Sequence, residues 1–157
     1  MRARALATLG ALLATGCGGT PGELPDGADA SFDRWRAEQG RICRDLRERV
    51  EALPRPDRDL GEGSDAERLR RLSGAVEPIA RLYTDAARRT RAVDPPRTRT
   101  DVARDYVDAF ADRARNYAAI PPVAARGDEV RITELTDRDE RLAKVLAVAT
   151  ENARIEC

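Results

Sequence analysis

The chain has 157 residues, 28 basic and 28 acidic side chains and no histidine. Without a basic excess it is not a bulk nucleic-acid binder, and its length fits one globular domain behind a short leader. The missing histidine removes His triads, His general bases and His-containing zinc sites, so an enzyme would have to rely on carboxylates, Arg, Tyr, Ser or Thr; with no phosphate-cradling glycine loop, nucleophile elbow or calcium-loop pattern either, no catalytic centre, metal site or cofactor is expected. The basic residues are arginines apart from Lys144, a usage that fits a GC-rich coding sequence more simply than a binding preference.

Arg2 and Arg4 precede an uncharged, mostly apolar run from Ala5 to Ala14, and the small residues Ala14-Thr15-Gly16 stand before Cys17. This is the layout of a secretory signal over 1–16. The run is too short for a spanning helix, which needs roughly 20 apolar residues. Leu13-Ala14-Thr15-Gly16-Cys17 resembles a bacterial lipobox, which implies cleavage before Cys17 and a diacylglycerol on its thiol. It departs from the usual pattern in carrying Ala14 three positions before the cysteine, where Leu is common. Ordinary secretion would cut at about the same bond, so the fate of Cys17 separates the two readings. The count of three cysteines favours lipid: with Cys17 acylated, Cys43 and Cys157 remain as one pair in an oxidising compartment. The expected partner of Cys17 is therefore a membrane, touched through lipid and not crossed.

Residues 17–30 carry Gly, Pro, Asp and Glu without large-apolar periodicity and read as a flexible tether, leaving 31–157 as the folded domain. The first helix is expected from Ser31, or from Asp29, with Phe32, Trp35, Gln39, Ile42, Leu46, Val50 and Leu53 in one stripe ended by Pro54 and Pro56. Ser64 and Glu67 form a capping-box pattern for the second. Its seam, Leu69, Leu72, Val76, Ile79, Tyr83, Ala86, Thr90 and Val93, alternates steps of three and four, the pattern of bundle packing. Pro78 inside this run predicts a kink or a break.

Asp94-Pro95-Pro96 turns the chain into a third helix from Thr98 or Thr100. Val102, Tyr106, Ala109 or Phe110, Ala114, Tyr117 and Ile120 are expected to face inward on it, and Pro121-Pro122 to stop it. The fourth begins at Asp128 or near Thr136, with Leu135, Leu142, Val145, Leu146, Ala149 and Ala153 as its stripe. The fold class is all-α: a four-helix bundle, with a Cys43–Cys157 disulfide stapling its last segment to its first helix.

Trp35, Ile42-Cys43, Leu53-Pro54, Pro95-Pro96 and the late cysteine resemble a loose group of small exported or lipid-anchored four-helix proteins of high-GC bacteria. That likeness implies the bundle and the disulfide, and no activity. The chain departs from the group at Gly40, where an Asn is common, and at Asn152-Ala153, where a Gly-Leu pair is common.

Two surfaces are candidates for function. Arg88, Arg89, Arg91, Arg97, Arg99 and Arg104 cluster around the second turn and suit an envelope protein or an anionic polymer. Trp35, Tyr83, Tyr106 and Tyr117 are candidates to line a ligand pocket inside the bundle. The functional expectation is a structural or protein-interaction role at the cell envelope, outside the cytoplasm, in a lipid-anchored protein that is not an enzyme. The alternative is a module binding a small molecule, peptide or cell-wall polymer in the bundle interior. Oligomeric state is not legible from the residues.

Overall fold

In a computed structural model, which describes residues 26–54 and 63–157, helix boundaries depart from those the sequence predicts at two places. Helices α1 (Asp26–Glu51), α2 (Asp65–Ala92), α3 (Thr100–Ala125) and α4 (Glu129–Ala153) account for the regular structure of these residues. The signal, the lipobox and Cys17 lie outside the described residues.

The first departure is the start of α1, which lies at Asp26, inside the expected tether. A helix that is already nucleated gains one backbone hydrogen bond for each residue it adds, so it extends through residues 26–30 ahead of Ser31. At the other end Ala52 N–H donates to the Glu48 carbonyl at 3.0 Å and Leu53 N–H to the Val50 carbonyl at 3.2 Å, closing the helix before Pro54.

Helix α2 opens as its sequence requires: the Ser64 amide donates to Glu67 Oε2 at 2.9 Å. It is continuous through Pro78. The second departure is α3, which does not stop at Pro121-Pro122 but runs on to Ala125. Each proline forfeits one intrahelical bond. The turn beyond them survives because it buries Val123 and Ala124, and because Ser73 Oγ donates to the Pro121 carbonyl at 2.9 Å, tying that turn to α2. The helix ends where Gly127 takes φ of 74°, a left-handed conformation suited to glycine. Asp128 then caps α4, accepting from the Arg131 amide at 3.0 Å, which settles the earlier of the two expected starts.

Neighbouring helices run antiparallel. Along α1, residues 39, 45 and 49 meet residues 90, 89 and 85 of α2. Along α3, Arg113 and Asn116 meet Asp139 and Leu135 of α4. The packing is closest between α2 and α3 and between α3 and α4.

Most of the α1 stripe lies as its spacing requires, with Phe32, Trp35, Gln39, Ile42 and Leu46 buried. One expected core residue of α4 does not: Val145 is 54% exposed, because Leu142, Leu146 and Ala149 take the inward face and leave it on the shoulder. Alanines supply much of the remaining interior, among them Ala80, Ala86, Ala103, Ala109, Ala111 and Ala114. Small residues allow helices to approach closely, and the few large rings then fill the spaces left between them.

Candidate interaction surface

Of the four aromatics expected to line a pocket, Trp35 and Tyr106 are buried in the core, and Tyr83 and Tyr117 are half-buried and belong to the same run of rings. Trp35 packs edge-on against Tyr106 at 5.9 Å between centroids, Tyr106 lies 6.1 Å from Phe110, and Phe110 lies 6.3 Å from Tyr83. Tyr83 stacks on Tyr117 at 4.3 Å. The run links α1, α2 and α3, and ring-on-ring contact uses the faces that a ligand would need. Burial pushes the Tyr106 phenol well above its ordinary range. Burial first, then the neighbouring Tyr83 and Asp139, pushes Tyr117 up to about 12.

At the end of this run stands a group that pattern reading missed. Arg113 Nε and Nη2 donate to the two oxygens of Asp139 at 3.1 and 3.2 Å, and the guanidinium lies 5.6 Å from the ring centres of both Tyr83 and Tyr117. Burial works against the Arg113 charge, and the Asp139 bonds together with the two phenols outweigh it. Beside it, the Asn116 side chain donates to the Leu135 carbonyl at 2.9 Å. These polar residues join three helices and have the geometry of fixed joints.

The six arginines of the second turn divide among different tasks. Arg89 pairs with Asp45 on α1, and that hydrogen bond holds the Asp45 carboxyl below its ordinary value. The Arg97 amide donates to Ser31 Oγ at 3.1 Å. Arg99, the residue before α3, has φ of 54°; its guanidinium lies 4.5 Å from the Phe32 ring centre and donates to the Asn152 carbonyl at 3.3 Å. Asn152 is in the last turn of α4, where carbonyls have no helical partner, so Arg99 closes that helix while holding α1. Gln39 does the same for α2, its amide donating to the Thr90 carbonyl at 3.1 Å, which explains a glutamine on the apolar face of α1. Arg104 is exposed on α3. Arg88 and Arg91 turn toward α3.

There they meet Arg115 across a cleft of about 550 Å³ whose floor includes Ala87, Ala111, Ala114 and Ala118. A second cleft of about 380 Å³ shares Thr84, Arg88 and Ala118 with it and continues to Pro121 and Pro122. Together they form one groove along the outside of α2 and α3. Another cleft, of about 540 Å³, lies by Pro78 between α2 and the end of α1, lined by Leu53, Gly74 and Leu82.

The covalent frame is as the cysteine count requires. Cys43 and Cys157, 114 positions apart, are joined by a disulfide. The tail lies so close to α1 that a Cβ on Gly40 would stand 2.9 Å from the Glu156 carbonyl oxygen, so a glycine fits there. Arg44 donates to that same oxygen at 2.8 Å and Arg47 to the Cys157 main-chain oxygen at 3.0 Å, while Ile155 is buried.

Among the described residues no group of three His, Cys, Asp or Glu side chains is placed to hold a metal ion, and no helix is long and apolar enough to cross a membrane. The chain matches no protein-family model, and no curated protein or solved structure is significantly similar to it.

Proposed function

We propose that this chain is an exported bacterial lipoprotein, acylated at Cys17, whose disulfide-stapled bundle serves as a protein-interaction module at the envelope surface. The observation that carries this reading is the pairing of Cys43 with Cys157. It fits an oxidising compartment. It also leaves Cys17, directly after Ala14-Thr15-Gly16, as the one cysteine without a partner thiol. An interaction role suits a domain whose large rings are spent on its own core and whose outer face carries an arginine-walled groove.

The test is Cys17→Ser in the expressing bacterium. The wild-type protein should sediment with membranes and carry the mass of a lipidated amino terminus. The variant should lose both, since acyl chains supply about 0.8 kcal/mol of membrane affinity per buried methylene. Unchanged membrane partition of the variant would refute the anchor.

A further inference from the structure

The outer α2/α3 groove has alanine methyls on its floor; arginines wall its larger cleft, while in the smaller one Arg81 and Arg88 stand beside Glu77 and Asp85. The larger of its two clefts is lined by Arg88, Arg91 and Arg115 and by no acidic residue. Arg91 makes no ion pair among the described residues. Arg88 and Arg115 reach back only to Asp85 and Asp112, three positions earlier on their own helices. Their side chains are 77% and 64% exposed, a setting in which such pairs contribute little and can be exchanged for another carboxylate. From Arg91 to Glu77 the groove covers about 21 Å along α2, roughly four helical turns.

We infer that this groove docks an acidic amphipathic helix of a partner protein, lying along α2 and α3 as a fifth helix. Three features select that occupant. Alanine side chains on the floor let another backbone approach to the short end of helix-packing distances. The groove is open along its length, so an acyl chain laid in it would stay half in water, whereas a helix satisfies its own backbone and need present only one apolar face. The three arginines call for carboxylates flanking that face. The inference rests on the interaction role proposed above and names the chemistry of the partner.

It is tested with the full chain carrying Cys17→Ser, so the result does not depend on lipidation, and either idea can fail without the other. The probe is a helical peptide of about 18 residues with an Ala/Leu stripe flanked by Glu, compared with the same peptide bearing Lys for Glu. Binding is read by fluorescence anisotropy and by amide shifts in α2 and α3. The Glu peptide should bind saturably and move the amides of Ala111 and Ala118, and the Lys peptide should not bind. The double variant R91E/R115E should weaken the Glu peptide by about tenfold or more and admit the Lys peptide. A118W, which fills the groove from an exposed position, should abolish binding while the helical circular dichroism stays unchanged. Equal binding of both peptides, or no saturable binding of the Glu peptide, would overturn the inference. So would a chain dimer that A118W dissolves, which would make a second copy the occupant, or sedimentation with phosphatidylglycerol vesicles that the same substitutions remove.

Discussion

Replacing both bridged cysteines by alanine, C43A/C157A, tests how this bundle is held together. The bond links positions 114 apart. In the chain-entropy treatment, closing a loop near 100 residues removes about 4.7 kcal/mol of freedom from the unfolded chain. The native tail keeps other holds without the bond, namely the Arg44 and Arg47 hydrogen bonds and the burial of Ile155. The folded state should therefore change little, and the loss should come from the unfolded side. A loss of about 3 to 5 kcal/mol is expected, or about 10 to 15 °C in Tm. Trp35, the one tryptophan and buried against Tyr106, reports the core in guanidinium unfolding. Arg44→Ala in the oxidised chain is the control, since it removes a tail contact and keeps the bond. It should cost about 1 kcal/mol. If C43A/C157A lost less than about 1 kcal/mol, or no more than Arg44→Ala, the disulfide would not be the restraint argued here.

Two further outcomes follow from the polar joints. Asp139→Ala strands Arg113 beneath two tyrosine rings and should cost about 2 kcal/mol. A double-mutant cycle over Arg113 and Asp139, whose side chains are only 22% and 20% exposed, should show a coupling well above that of the exposed Arg131 and Glu134 pair; equal couplings would count against a joint. The second outcome concerns alkaline pH. Tyr117 ionises at about 12 in the fold against 10.0 for the free side chain, so the folded chain holds that proton longer than the unfolded one. Its contribution is complete below pH 10 and is lost as pH rises toward 12, so stability should fall across that window. Tyr117→Phe should fall less steeply, and identical slopes in alkaline unfolding curves would contradict the assignment.

Much of the architecture is legible in the residues because it rests on local rules. Steps of three and four placed the inward faces of α1 and α2, Ser64 with Glu67 marked the start of α2, and an odd cysteine count with a lipobox-like leader paired Cys43 with Cys157. Local rules failed where burial outweighed them. Pro121-Pro122 read as a stop, yet the turn beyond persists because Val123 and Ala124 are buried and Ser73 ties the Pro121 carbonyl to α2. Val145 fits the α4 stripe by spacing, but a neighbouring helix covers only part of that arc.

The surface was far less legible than the core. Six arginines close in sequence read as one patch, but helix rotation sends Arg89 to Asp45, Arg99 to Phe32 and Asn152, and Arg88 and Arg91 to the α3 groove. Arg115, Ala111 and Ala118 complete that groove from a different helix, and no spacing within either helix announces them. Periodicity, caps and the cysteine count act over a few residues or over the chain as a whole, so the sequence by itself determined four helices, the inward faces of α1 and α2 and the covalent staple. Which polar residues became joints, and which arginines share a wall, depends on how the helices lie against one another, and only the tertiary structure decided that.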